Sequence, residues 1–199
     1  MKKKIIMISG QQGSGKSSLS RAICQHINET RADLFAKPIR FADPLYEMHE
    51  ACRKVAMLYG IPFDDKEGRL LQLLGTEWGR EIKGPDVWVN ALREMIKVHK
   101  MREELAADFD ETIYVIDDCR FKNEFYGFRD ESFTVRLFAP EAIRKERTHG
   151  WRNTTTHASE IDLDGLDSEF DLAIDTSINT KLQTFNLVMN RFFELGEKE

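Results

Sequence analysis

The sequence predicts an α/β fold of three layers, in which helices cover both faces of a five-stranded, mostly parallel sheet. The first observation behind this prediction is the alternation of short apolar runs with helical stretches along the 199 residues, a pattern typical of parallel sheets. The second is a glycine-rich loop of the phosphate-binding type directly after the first apolar run. The expected strands are 4–9, 38–42, 112–117, 133–138 and 171–175.

The glycine-rich loop at residues 10–17 reads Gly-Gln-Gln-Gly-Ser-Gly-Lys-Ser, which is the G-x-x-x-x-G-K-[ST] pattern of a P-loop. It lies between an apolar, β-prone run and a stretch with Leu19, Ile23 and Ile27 on one helical face. Glycine adopts positive φ readily, and exposed N–H groups at a helix start attract phosphate. We therefore predict that ATP binds here, with contacts from Gly10, Gly13, Ser14, Gly15, Lys16, Ser17 and Ser18.

A second motif ends the strand predicted at 112–117, where an apolar run meets Asp117 and Asp118. The carboxyl ends of parallel strands point into the crevice where ligands bind in open α/β sheets. We predict that Mg²⁺ is held by the Ser17 hydroxyl and Asp118, with Asp117 open as the alternative. A structural alternative also stays open, in which one of these aspartates only caps the next helix. Lys16 is expected to contact the β- and γ-phosphates.

Arginine residues supply the remaining candidates for phosphate chemistry, since the planar guanidinium matches phosphate oxygens. Arg120 closely follows the two aspartates, and it is expected either to bind a substrate phosphate or to pair with Asp118. Arg144 and Arg147 are three residues apart and share a predicted helix face. They are expected either to neutralise the transferring group from a lid or to lie on a solvated surface helix.

One domain, 1–199, is expected, with two segments added to its core. The core is assigned to 1–42, 106–139 and 171–199. Helices predicted at 44–57 after an Asp43 N-cap, at 66–82 and from 85 onward form an insertion, 43–105. Segment 140–170, basic first and acidic later, is predicted to be a lid, and its acidic stretch 162–167 a solvated loop.

Composition and charge argue against nucleic acid polymers and membranes as binding partners. The net charge of −5 supplies no global field for a nucleic acid polymer, and no apolar run approaches the ~20 residues that span a bilayer. Three widely spaced cysteines argue for free thiols in a reducing compartment and against structural zinc. We expect a cytoplasmic protein with small-molecule partners, and a homodimer stays possible through the amphipathic helix after residue 85.

Five blocks of the sequence together resemble the bacteriophage-type deoxynucleoside monophosphate kinases. They are 10–17, 41–45, 69–80 with Trp88 beyond, 118–124 and 157–160. The resemblance implies γ-phosphoryl transfer from ATP to a deoxynucleoside 5′-monophosphate, with the insertion binding the monophosphate; if the protein is phage-encoded, it would act in the host cytoplasm. Many relatives carry an acidic residue directly after the P-loop lysine, whereas this chain has Ser17, so its magnesium contact is expected to be the ordinary hydroxyl.

The same resemblance implies the residues that contact each nucleotide. The acceptor phosphate is assigned to Arg69, Arg80 and Arg120, with Gln72 and Trp88 near its base or sugar and Asp43 also at this site. Asp175, at the end of the last strand, is expected to flank the ATP base. The alternative for Trp88 is a structural role in the core, because tryptophan on an amphipathic helix usually packs in the protein interior.

Three rival functions remain beside this one. A different small-molecule P-loop kinase, acting on a nucleoside or on dephospho-coenzyme A, would share the same catalytic core. A regulatory GTPase is disfavoured, because the D-x-x-G match at 65–68 follows no apolar strand and no N-K-x-D is present to read guanine. A protein that holds nucleotide without turnover is disfavoured by the retained Lys16, Ser17 and Asp118.

Overall fold

A computed structural model describes residues 3–64, 67–106, 111–151 and 158–197. Over these residues five strands form one sheet in the order β2-β3-β1-β4-β5, and each neighbouring pair is parallel. The strands are β1 Ile5–Ser9, β2 Leu34–Ile39, β3 Glu111–Cys119, β4 Ser132–Phe138 and β5 Leu172–Asp175. The predicted fold class is confirmed, and the sheet is parallel throughout.

The helices alternate with these strands as expected. They are α1 Lys16–Thr30, α2 Asp43–Leu58, α3 Gly68–Gln72, α4 Val87–Ala106, α5 Lys122–Phe128, α6 Glu141–Glu146, α7 Ala158–Ile161 and α8 Lys181–Glu197. A π-helix, Leu73–Lys83, continues α3, and two short 3₁₀ helices span Arg129–Glu131 and Asp167–Glu169. No helix in the described ranges is both long enough and apolar enough to cross a membrane.

The second strand lies earlier in the chain than the sequence predicted. It was expected at 38–42 and instead occupies Leu34–Ile39, with Leu34, Ala36 and Ile39 buried. Pro38 lies inside this strand, where it has no N–H to donate. The strand tolerates it because β2 is at the edge of the sheet and pairs with β3 alone.

The core explains why β1 is an apolar run rather than an alternating one. All five of its residues are buried, because the central strand has helices over both faces. On one face Ile6 and Ile8 join a cluster with Ile23 of α1 and Val188 of α8. The P-loop therefore starts from a strand that is buried along its whole length.

The chain divides into two compact units. One comprises Met1–Ile39 with Glu103–Glu199 and contains the sheet, and the other is Arg40–Arg102. The second unit falls within three residues of the range 43–105 that the sequence assigned to an insertion. Its role as a substrate-binding insertion stays a prediction.

Candidate active site

The P-loop links the end of β1 to the start of α1, which begins at Lys16. Gly13 has a φ of +79°, and a Cβ added there would lie 2.6 Å from the carbonyl oxygen of Arg144. A Cβ on Gly10 would collide with the carbonyl oxygen of Leu137. The loop backbone thus lies close against the end of β4 at Gly10 and against the segment after β4 at Gly13, which only glycine allows at these two positions.

The side chain of Lys16 turns back onto the P-loop. Its ammonium donates hydrogen bonds to the carbonyl oxygens of Gly10 and Gln11, the second at 3.0 Å. Burial, and next the positive charge of Arg120, lowers the pKa of Lys16 from 10.5 to about 8. The carboxylates of Glu160 and Asp117 oppose that shift. The nearby carboxylates therefore do not fully offset the cost of burying this positive charge, and a bound anion would stabilise the ammonium.

Nucleotide binding is expected to take up a proton above pH 7. The free protein releases the Lys16 proton near pH 8, whereas a bound phosphate favours the charged form and raises the pKa. Calorimetry with ATP at pH 8.5, in two buffers of different ionisation enthalpy, should show about 0.8 proton bound per nucleotide. At pH 7 the same measurement should show only about 0.1.

The matched control for this prediction is Lys16→Arg, whose guanidinium stays charged and should bind no proton. Equal proton uptake by both proteins at pH 8.5 would contradict the assignment. The same pKa shift also affects folding. Since the unfolded chain keeps this proton up to about pH 10.5 while the folded protein loses it near pH 8, Lys16 alone makes the folded state gain stability as pH rises through that window.

The two aspartates lie on β3, which runs through both of them to Cys119. Asp117 is buried at 4% exposure. Burial, and secondly the charge of Asp117, raises the pKa of Cys24 on α1 to about 11. The charge of Asp117 thus acts on both Lys16 and Cys24. Neither aspartate is the N-cap of α5, since that position belongs to Phe121.

Arg120 is fixed at both its backbone and its side chain. The buried Glu124 carboxylate accepts the N–H of Arg120 at 2.8 Å and the N–H of Phe121 at 3.1 Å. The guanidinium donates to Glu160 at 2.7 Å. Glu160 also accepts the N–H of Gln12 in the P-loop at 2.7 Å. The structure therefore brings Arg120 to the P-loop through one shared carboxylate.

The two arginines of the predicted lid lie in different places. Arg144 is 5% exposed and donates to the carbonyl oxygens of Ala139 and Gln12, both at 3.0 Å. Arg147 donates to the hydroxyl and carbonyl of Thr176, at 3.0 and 2.8 Å. Arg144 therefore supports the P-loop backbone, whereas Arg147 joins α6 to the turn after β5.

A cavity of about 630 Å³ lies beside the P-loop, within the size range of small-molecule sites. Its lining comes from the start of α1, from Arg147 and from the turn between β5 and α8, and consists of Gly13, Ser14, Gly15, Lys16, Ser17, Ser18, Leu19, Ala22, Leu137, Arg147, Thr176, Asn179, Thr180, Lys181 and Thr184. Most of the residues predicted to contact ATP line this one cavity. Asp175 shapes its turn by accepting the N–H and hydroxyl of Ser177, at 2.8 and 2.6 Å.

Arg136 is a buried site residue that sequence reasoning missed. It lies on β4 at 6% exposure and donates to the Ser9 hydroxyl at 3.1 Å. It also pairs with Asp164 at 3.0 Å and Asp167 at 3.1 Å. Both aspartates lie in the acidic stretch that was expected to be a solvated loop, and their side chains stay more than half exposed while they pair with Arg136. The available signal was an arginine inside an apolar strand, which requires an acidic partner.

The second unit contains the other residues predicted to bind substrate. Asp43 is the first residue of α2 rather than its N-cap, and its carboxylate accepts the N–H of Arg40 at 2.8 Å. Arg69 and Gln72 are exposed on α3. The helix predicted at 66–82 becomes α-helical only over Gly68–Gln72 and continues as the π-helix.

Trp88 explains part of this π-helix. Its indole N–H donates to the Gly75 carbonyl at 2.9 Å, and Arg80 donates to the same oxygen at 3.1 Å. A Cβ on Gly79 would lie 2.6 Å from the Trp88 ring. Trp88 is 4% exposed, which is the packing role that the sequence left open. π-Helical segments are frequent at functional sites.

Within the described ranges, no group of three or more histidine, cysteine, aspartate or glutamate side chains is arranged to hold a metal ion. The predicted magnesium contacts are of another kind, a P-loop hydroxyl and one strand-end carboxylate. Ser17 is exposed at the cavity, where its hydroxyl is accessible to a ligand.

Comparisons with known proteins establish the fold. No protein-family model matches the sequence, and no curated protein gives a significant match. A gluconokinase from Sinorhizobium meliloti 1021 is similar with a TM-score of 0.50 and 18% identity, over 99% of this chain and 95% of that chain. A sugar kinase from Janibacter sp. HTCC2649 is similar with a TM-score of 0.51 and 14% identity, over 96% and 94%. The chain has the α/β fold of P-loop kinases.

Proposed function

We propose that this protein is an ATP- and Mg²⁺-dependent kinase that transfers a phosphoryl group to a deoxynucleoside 5′-monophosphate, giving the diphosphate. The observation that carries this proposal is the position of Arg120, whose guanidinium is suited to phosphate and is joined through Glu160 to a complete P-loop. The fold shared with a gluconokinase and a sugar kinase supports a small-molecule kinase. The five sequence blocks support the nucleotide acceptor.

The residues present fit a nucleoside triphosphate. Gly15 lines the cavity, and a Cβ there would meet no atom within 4 Å, so the space beside it is open. The loop N–H groups lie at the start of α1, where a helix favours anions. Bound ATP with Mg²⁺ supplies the phosphoryl group and part of the charge that neutralises it. Ser17, with Asp118 or Asp117, would hold the ion. Lys16 would exchange its two carbonyl partners for phosphate oxygens.

The remaining groups would orient the two substrates. Arg147 and the turn after β5 line the cavity together with the start of α1 and are proposed to hold the base. Arg120 is proposed to fix the acceptor phosphate. An acceptor phosphate oxygen is already a nucleophile, so no general base is needed, and correct placement accounts for much of the rate. Arg144 is proposed to act indirectly, by supporting the loop that it contacts.

The test is ADP formation from ATP and Mg²⁺ by purified protein. Each deoxynucleoside monophosphate, its ribonucleotide counterpart, a nucleoside, dephospho-coenzyme A and gluconate would be supplied separately. We expect one or more deoxynucleotides to stimulate turnover well above the acceptor-free rate, with the diphosphate confirmed as product. Stimulation by gluconate or a non-phosphorylated acceptor alone would overturn the nucleotide assignment and leave the kinase class. ATP binding without turnover on any acceptor would leave only a nucleotide-binding protein.

A further inference from the structure

Glu160 has two partners that are both suited to phosphate. Its Oε2 atom accepts the Gln12 N–H of the P-loop, and its Oε1 atom accepts from Nη1 of Arg120, each at 2.7 Å. Its side chain is 6% exposed. The residue belongs to α7, inside one of the blocks that the sequence singled out without assigning a role. His157 of that block lies outside the described residues.

The two donors are of the kinds that bind phosphate elsewhere. Backbone N–H groups of a P-loop cradle phosphate oxygens, and a guanidinium pairs with them through its planar fork. A carboxylate carries the same sign of charge and accepts the same hydrogen bonds. In this structure the Glu160 carboxylate therefore takes donors from both the loop and Arg120 together.

The positive charges around the Glu160 carboxylate favour its position in this region. Arg120 and Arg136 both lower the pKa of Lys16, so three cations act on one another in this region. Glu160 and Asp117 are the carboxylates whose charges oppose that effect. Without a bound phosphate, Glu160 thus supplies negative charge that the cations need. An incoming phosphate would compete for the same donors and would repel the carboxylate.

A separate contact allows the carboxylate to leave without detaching its helix. The Gln11 side-chain amide donates to the backbone carbonyl of Glu160 at 3.2 Å. Asp162, directly after α7, accepts the N–H of Lys122 at 2.7 Å. Neither bond uses the Glu160 side chain. A rotation of that side chain would therefore free both donors while α7 kept its other attachments.

We propose that the Glu160 carboxylate occupies a phosphoryl subsite in the free enzyme and is displaced when a substrate phosphate binds. This inference rests on the proposed function, because it requires the P-loop to bind phosphate. It makes Glu160 an internal competitor that lowers the affinity for any phosphate that must displace it. The apparent affinity of such a ligand falls in proportion to the fraction of protein whose subsite is open.

The experiment measures the dissociation constant of pyrophosphate by calorimetry at fixed pH, without metal. Glu160→Gln keeps the size of the side chain and removes its charge, so we expect pyrophosphate to bind about tenfold more tightly than to the wild type. Glu169→Gln is the matched control, since Glu169 also pairs with an arginine, Arg129, at 2.8 Å. That control should bind pyrophosphate like the wild type.

A second measurement uses the wild-type protein, so that it does not depend on a variant that folds. With ¹³C-labelled glutamate, the carboxyl signal of Glu160 should move towards that of a solvated glutamate as pyrophosphate is added, while the Glu169 signal stays. An unmoved Glu160 signal at saturation would overturn the inference, as would equal or weaker binding by Glu160→Gln. Either result would leave the proposed function standing, because pyrophosphate would still bind. Failure of the wild type and Glu160→Gln to bind pyrophosphate at millimolar concentration would overturn both.

Discussion

Replacing Lys16 by methionine is expected to lower turnover by about 10²–10³-fold while leaving the melting temperature equal or higher. The loss of rate follows from removing a charged donor at the phosphate site, where single preorganised donors contribute factors of this size. The measurement is ADP formation at saturating ATP with the best acceptor of the panel. Lys97→Met is the control, because Lys97 has a side chain that is 66% exposed on α4, and it should retain full turnover.

The unchanged stability follows from the burial of Lys16. Burial is the largest cause of its lowered pKa, which means that the folded protein holds this charge at a cost. Methionine has nearly the same length and carries no charge to desolvate. Turnover within threefold of the wild type would refute the P-loop assignment. A large fall in melting temperature would show instead that Lys16 is a structural residue.

Gly13→Ala is expected to destabilise the protein by about 2–4 kcal/mol and to abolish most nucleotide binding. A residue with a side chain at positive φ costs about 1–3 kcal/mol, and the new Cβ would also meet the Arg144 carbonyl and the Thr148 hydroxyl at 2.6 and 2.7 Å. For a chain of this length the melting temperature should fall by about 5–10 °C. ATP affinity should fall as well, because the loop must move away from α6.

Gly150→Ala separates the two causes. Gly150 also has a positive φ, +69°, but a Cβ there would meet no atom within 4 Å. Its loss of stability should therefore reflect the backbone conformation alone and should be clearly smaller. If both variants lost the same stability, the close approach between the P-loop and α6 would not be a real constraint on residue 13.

Local pattern was sufficient to predict the elements around the phosphate site. Residues 5–8 within the predicted strand 4–9 are all apolar because β1 is buried on both faces, and the glycine spacing that follows is typical of a phosphate-binding loop. The strands β3, β4 and β5 were predicted to within two residues at each end for the same reason. Each of these signals is contained in a short window of sequence.

The features that sequence reasoning missed depend on contacts between distant residues. The position of β2 depends on its being an edge strand, which makes Pro38 acceptable, and strand order is not visible in the run itself. The π-helix depends on Trp88 meeting Gly75 and Gly79. The Arg136 cluster and the Glu160 contacts join residues 28 to 149 positions apart, and no periodicity in the sequence indicates such pairs.

The order of the strands also determines when, during synthesis, the proposed phosphate site can form. The central strand precedes the other four in the chain, yet both of its neighbours, β3 and β4, come far later. Ser9, at its end, is bonded to residues 110 and 127 positions further on. At a synthesis rate of about 5–20 residues per second, β1 waits for several seconds without a partner. Nucleotide therefore cannot assist the early stages of folding, because the proposed binding loop gains its last contacts only after α7 and the turn after β5 have been made.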